Sequence, residues 1–281
     1  MTKLPAEEPE PMKLPLRLMI AGMACACCWL VSPAAQARTL SQIISSGKLI
    51  AGINPNFYPL GEYNAQNAIV GFDVDLAQRI AGSLGVKLEI VKTPAPERVP
   101  FLVSDKVDVM FGGLTRTPAR AKVVDFTVPV LTESFSVLTL ANKPFTTWHD
   151  LDSSSVTLVQ VRGTTPIPFI HESLPKAKVL LLSDYPDAIR ALAQGRADAI
   201  VDVVDYFGQW TKDYKKDWKI LPISGRPVDY DCLGVAQGNN SLRRWLNVAL
   251  FQLEEDGFMD QIHKKWFGRS MTYPVKAQPY F

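Results

Sequence analysis

"GFDVDLAQRIAGSLGVKLEIVKTPAPERVPFLVSDKVDVMFGG" runs from Gly71 to Gly113. Its first part has the pattern of an amphipathic helix. Leu76, Ala77, Ile80 and Leu84 fall on one face, Asp73 is placed to cap the start, and Gly85 ends it. "VKLEIV" (86–91) reads as a strand, a short helix is expected around Arg98 to Val103, and "VDVMFGG" (107–113) is a further strand. With "KLIAGIN" (48–54) ahead of it as a buried strand, the order is β-α-β-α-β. That order predicts a mostly parallel sheet covered by helices.

The second half repeats the grammar. "VTLVQV" (156–161), "KVLLLS" (178–183) and "ADAIVDV" (197–203) read as strands; helices are expected from Pro166 and over "PDAIRALAQG" (186–195). "SDKVDVMFG" (104–112) echoes "QGRADAIVD" (194–202), and Asp108 and Asp198 in these echoes read as residues that fix a strand entry rather than bind a ligand. The extended run "TESFSVLTL" (132–140) can carry the chain from one lobe to the next. "VDYDCLGVAQG" (228–238) can bring it back, ahead of two closing helices over 241–257 and 258–268. The expected fold is α/β and two-lobed, with a two-strand hinge. Residues 38–132 and 234–281 form the first lobe and 133–233 the second.

The chain has 281 residues, is 47% hydrophobic and carries a formal net charge of +2, which gives no reason to expect nucleic acid as a partner. Residues 1–37 read as a signal peptide. Lys13 and Arg17 precede an apolar run from Leu18 to Val31, and Ala35-Gln36-Ala37 forms a small-residue exit before Arg38. Glu7, Glu8 and Glu10 are foreign to such a basic region, which points to Met12 as the start codon. Export to the periplasm follows. Cys25, Cys27 and Cys28 lack the leucine three residues earlier that lipid attachment uses, so a soluble protein is expected. Cleavage leaves one cysteine, Cys232, in an apolar segment where it reads as a small buried hydrophobe. His149, His171 and His263 lack metal-ligand spacing, and no nucleotide loop or nucleophile elbow is present. No cofactor and no metal are expected.

Chemistry concentrates at two strand ends. After "VDVMF", Gly112 and Gly113 open the backbone to a ligand, and Thr115 adds a hydroxyl. Thr117 has the properties of a helix cap and Pro118 of a first helical residue. A helix start there, with Arg120 in its first turn, would hold a carboxylate. Spacing alone leaves two partners for Arg120: a ligand anion, or an internal Asp or Glu. Arg116 precedes the cap and reads as a rim residue or half of a structural pair. The second lobe offers "VRGTTPIPF" (161–169), again strand, glycine, threonines and proline, with Thr165 as the expected cap and the Thr164 and Thr165 N–H groups as donors from the opposite wall.

Taken together, "GFDVDLAQRIAGSLGVKLEIV", "FLVSDKVDVMFGGLTRTPARAKVVDFTVP", "VRGTT", "GRADAIV" and "LNVALFQLEEDGFMDQIHKKWFG" resemble family 3 of the bacterial extracellular solute-binding proteins, the polar amino-acid receptors of ABC importers. The resemblance spans nearly all of the chain after residue 37. It implies a monomeric periplasmic receptor, not an enzyme, that closes on a small carboxylate-bearing solute and docks an inner-membrane permease. It further implies that Arg120 grips the α-carboxylate with help from Thr115, Gly113 and Thr165, that Asn54 lies near the ligand, and that Phe57 packs on its side chain.

Two departures bear on the ligand. The family Asp that binds the α-ammonium falls here on Val203, flanked by Asp202 and Asp205; a bulge would be needed to bring Asp202 inward, because strict alternation turns it away. Ala95 stands where many members carry an aromatic, which predicts a roomier or reshaped wall. The alternative implied by the family is a dehydratase of cyclic acids such as prephenate or arogenate on the same fold. A sensory module is a third reading and would need a separate signalling partner.

Overall fold

The computed structural model describes residues 37–276. The expected signal peptide, Met12 and the three cysteines at 25, 27 and 28 lie outside the described residues, apart from Ala37.

The chain builds two five-stranded sheets in sequence. In the first, β1 (Lys48–Ile53) has β4 (Lys87–Lys92) and β5 (Val109–Met110) as parallel neighbours, and the order is β4-β1-β5-β12-β6. Here β6 is Val124–Glu133 and β12 is Asp229–Ala236, and β12 runs antiparallel to both of its neighbours. The second sheet mirrors this. Its order is β11-β7-β10-β8-β9, with β8 (Thr157–Val161), β9 (Lys178–Leu182) and β10 (Ala199–Val203) parallel, and β7 (Phe135–Leu140) antiparallel to β10 and to β11 (Trp218–Pro222). Each sheet therefore has four strands in one direction and one returning strand. The protein is two-lobed α/β, hinged where β6 passes into β7 and where β11 returns to β12. A short antiparallel ribbon, β2 (Glu62–Tyr63) with β3 (Ile69–Val70), sits beside the first sheet.

Helices cover the sheets as their apolar faces require. The helix α2 (Phe72–Leu84) buries Leu76, Ala77 and Ile80 against β1 and β4 and stops at Gly85. Its start differs from the expected one. Gly71 is the cap and Asp73 is the second helical residue, with its carboxyl buried and accepting from the Gly112 N–H. A helix α3 (Arg98–Val103) follows. In the second lobe α4 (Pro166–Ser173) starts at the expected proline, and α5 (Tyr185–Ala193) packs on β8, β9 and β10. The closing pair, α7 (Asn240–Glu255) and α8 (Phe258–Phe267), packs on α2. Two helices were not anticipated: α1 (Leu40–Ser46), held by a Thr39–Gln42 capping box, and α6 (Val204–Thr211), which leaves β10 without a turn.

The paired aspartates do the same job in both lobes. Asp108 accepts from the Ile50 N–H at 2.7 Å and Asp198 from the Thr157 N–H at 2.8 Å, each tying its own strand entry to the neighbouring parallel strand. Cys232 is fully buried in β12, and its surroundings push the thiol well above its usual range.

Candidate functional site

The cleft between the lobes is built from the ends of strands. Chain leaving β5 makes a left-handed turn at Gly112 (φ 87°) and Gly113 (φ 68°). A Cβ on Gly113 would lie 2.6 Å from Phe57 Cε1, so the missing side chain lets the Phe57 ring reach the cleft. From the other lobe, Gly163 (φ 78°) brings the loop after β8 so close that a Cβ would lie 2.9 Å from Pro96 Cα and 3.3 Å from the Ala95 carbonyl oxygen. The opposite lobe thus meets the backbone of the Ala95–Pro96 segment directly.

The lobes stand closed. Arg120 Nη2 donates to the Gly163 carbonyl at 3.0 Å, the Thr115 and Thr165 hydroxyls pair at 3.1 Å, and Trp210 Nε1 donates to the Tyr58 carbonyl at 2.7 Å. Phe57 stacks on Tyr185 with ring centroids 4.1 Å apart, and Tyr206 meets Phe57 edge-on at 5.1 Å. The cavity left between them is small, with room for about one water molecule.

Of the residues singled out from sequence, Phe57, Gly113, Thr115, Thr164, Thr165 and Asp202 line this cavity. Arg120 is not among the lining residues; it is half-buried beside Thr115, with Nη1 donating to the Thr115 carbonyl at 2.6 Å. Burial lowers its guanidinium to about 10, and the nearby Arg98 charge adds to this. Asn54 is buried beside Gly112 and is not among the lining residues; its Oδ1 accepts from the Asn56 N–H at 3.0 Å. Arg116 points elsewhere, over the Tyr230 ring at 4.8 Å.

The helix expected behind Thr117 and Pro118 does not form. Only a 3-10 turn over Arg120–Lys122 is present, and the chain enters β6 at Val124. Thr117 Oγ1 still accepts from the Arg120 N–H, at 3.2 Å, but no helix dipole supports an anion there. The β-branched pair Val123-Val124 favours the strand over a longer helix. Thr165 does precede α4, although its hydroxyl caps nothing and turns to Thr115 instead.

Asp202 resolves against the alternation argument. It is the fourth residue of β10, yet both it and Val203 line the cavity, because the chain turns at Val203 straight into α6. Asp202 Oδ1 accepts from the Val203 N–H at 2.8 Å, while Oδ2 is buried without a hydrogen-bond partner. Burial pushes its carboxyl up to about 8.

Several site residues had not been picked from sequence. Arg98 is buried, lines the cavity, and donates to the carbonyls of Ala95 at 3.0 Å, of Gly112 at 2.6 Å and of Gly113. It holds the two-glycine turn in shape. Glu133, at the end of β6, lines the cavity, is buried, and has Oε2 without a partner. Across the hinge, Asp231 on β12 is also buried and accepts from the Leu114 N–H. Burial holds both of these carboxyls well above the usual range, helped by repulsion from Asp231 at Glu133 and from Asp73 at Asp231. Tyr185 and Tyr206 complete the aromatic wall. Glu133 carried a visible signal: it is the only charged residue between Phe126 and Leu140.

The sequence profile described as bacterial extracellular solute-binding proteins, family 3, matches residues 49–269. The chain belongs to this family. Among characterised relatives, the solute-binding family includes the glutamine-binding protein GlnH of Bacillus subtilis, 28% identical over 81% of this chain and 84% of that one. A cyclohexadienyl dehydratase of Pseudomonas aeruginosa is 30% identical over 63% of this chain and 68% of its own length. Among solved structures, an ancestral amino-acid-binding protein described as a precursor of cyclohexadienyl dehydratase superposes with a TM-score of 0.76. It is 30% identical and covers 81% of this chain and 99% of that chain.

Proposed function

We propose that this member of the solute-binding family is the periplasmic receptor of an ABC-type importer. Its solute is an amino acid or a close relative that carries a carboxylate. We take the lobes as 38–132 with 234–281 and 133–233, the receptor as a monomer, and an inner-membrane permease as its partner. The reading rests most on one observation: the cleft is walled by both lobes and holds complementary ends, with Arg120 bridging Thr115 and Gly163 on one side and an unpartnered Asp202 carboxyl oxygen inside. A solute carboxylate takes Arg120 in place of the Thr115 and Gly163 carbonyls, with Thr115 and the Thr164 and Thr165 N–H groups beside it. The solute ammonium takes Asp202, and its side chain lies along Phe57. Capture by the first lobe followed by hinge closure adds the second-lobe contacts.

Thermal-shift screening over amino acids, opines and small acids and amines tests this, since binding raises apparent stability by mass action. Stabilisation by at least one amino acid is the expected result; a flat screen would contradict the proposal.

One observation keeps a second reading in play. Glu133 and Asp202 are carboxyls held protonated near neutral pH, as a general acid for dehydration must be. Incubation with prephenate or arogenate, followed by ultraviolet detection of the aromatic product, separates the two. The receptor reading predicts no turnover.

A further inference from the structure

The chain that leaves α8 returns to the hinge. At its root, Gly268 ends α8 in a left-handed turn (φ 78°), and His263 Nδ1 on that helix donates to the Arg269 carbonyl at 2.6 Å. The helix α8 is itself fixed to α2 of the first lobe. Asp75 accepts from Lys265 Nζ at 2.6 Å and from Trp266 Nε1 at 2.7 Å, and the Phe267 ring meets Phe72 edge-on at 5.9 Å. At the far end, the Tyr273 carbonyl accepts from the Thr132 hydroxyl, near the end of β6. Both ends of the segment 269–273 are thus held by the first lobe.

Its middle holds the second lobe. Arg269 Nη2 and Thr272 Oγ1 both donate to Asp205 Oδ1, and Arg269 Nη1 donates to Thr272 Oγ1 at 2.8 Å, so the three side chains close a ring. Asp205 is buried in the first turn of α6, the helix that follows β10 of the second sheet. The grip lies beside the hinge. Val204 donates its N–H to the Ser134 carbonyl at 2.9 Å, and Ser134 is the one residue between β6 and β7. Thr132 stands two residues before it. The segment therefore touches the chain on both sides of the crossing about which the lobes turn.

An acid in the first turn of a helix is favourable by itself, and a half-exposed ion pair contributes little to stability. Neither point accounts for a carboxyl with 6% of its side chain exposed that takes its donors from the other lobe. We propose that residues 269–273 form a strap across the hinge, a third and non-covalent link beside the two chain crossings. Asp205 is the positioning residue that the strap holds. The strap acts behind the cleft and restrains how far the lobes part before any solute arrives.

X-ray scattering of the ligand-free protein, with urea titration beside it, tests this. Arg269→Gln removes the grip and leaves Asp205 in its helix, and a radius of gyration larger than that of the wild type is the expected result. Arg269→Lys, which keeps the charge, should fall between the two. Thr272→Val, a change at an exposed residue, should shift the radius in the same direction by a smaller amount. The Arg269 side chain is 51% exposed, so about 1 M salt should weaken the pair, raise the wild-type radius and leave Arg269→Gln unmoved. Folded Arg269→Gln and Thr272→Val proteins with the wild-type radius would overturn the proposal. A lower urea midpoint without a change in radius would overturn it too, since that marks an ordinary structural tether. No solute enters these measurements, so their failure would leave the receptor reading in place.

Discussion

Arg98 shows how much of this site depends on one buried side chain. It spans the turn after β5 from below and satisfies carbonyls that the left-handed glycines leave pointing inward. Truncation to alanine leaves those oxygens buried and removes the positive charge nearest Asp73 and Asp231. Loss of a buried charge partner typically costs about 3–5 kcal/mol. Arg98→Ala should therefore lower the urea midpoint by a matching amount; a loss under about 1 kcal/mol would mean that the turn holds itself. Asp202 makes a prediction with a definite sign. Its carboxyl titrates near 4 in an unfolded chain and at about 8 in the fold. Between these values the folded protein keeps a proton that the unfolded chain has released. The stability it contributes is complete below about pH 4 and is lost as pH rises towards 8. Asp202→Asn carries the neutral form at every pH. Without solute, its stability relative to wild type should rise steadily from about pH 5 to about pH 8 in urea titrations. A constant difference would mean that Asp202 is ionised throughout.

At the level of elements, the turn after β5 is the most demanding piece. Gly113→Ala must hold a left-handed residue, which costs about 1–2 kcal/mol, and must also move the Phe57 ring away from the new Cβ. Solute affinity should fall with stability in this variant; an unchanged thermal shift in the presence of solute would show that Phe57 does not need its place. The elements that could be read in advance were those with periodic apolar faces and glycine stops, such as α2, α5 and the strands around them. The echo between 104–112 and 194–202 gave the two-lobed plan, because the same aspartate ties the same strand entry in each half. What escaped were elements without local punctuation. The helix α6 starts from Val203 with no side-chain cap, and its apolar residues continue those of β10. The expected helix at Thr117 failed for the opposite reason: its cap chemistry was real, but the β-branched residues behind it belong to β6. The site was legible where glycine and threonine cluster at strand ends. Arg98, Tyr185 and Tyr206 were not, since each reads locally as an ordinary helix residue. Only the packing of separate elements brings them to the cleft.

For the molecule as a whole, function depends on the balance between open and closed lobes. Closure is held by few direct contacts, chiefly Trp210 to the Tyr58 carbonyl, Thr115 to Thr165, and Arg120 to the Gly163 carbonyl. The stack of Phe57 on Tyr185 adds to these. Trp210→Phe keeps most of the packing and removes one hydrogen bond, worth about 0.5–1.5 kcal/mol net. That is enough to shift a two-state population several-fold towards open. X-ray scattering should show a larger radius of gyration for the ligand-free variant than for the wild type, and the two should converge once solute saturates both. Equal radii without solute would mean that the indole bond plays no part in closure. The central claim is that Arg120 holds a solute carboxylate, and calorimetric titration of wild type and Arg120→Ala with an amino acid that stabilises the protein in the thermal-shift screen, and with the decarboxylated counterpart of that amino acid, tests it most directly. The account predicts that wild type prefers the amino acid and that Arg120→Ala weakens its binding by about 2–5 kcal/mol while leaving the decarboxylated amine nearly unaffected. Equal affinity of the two proteins for the amino acid would contradict it.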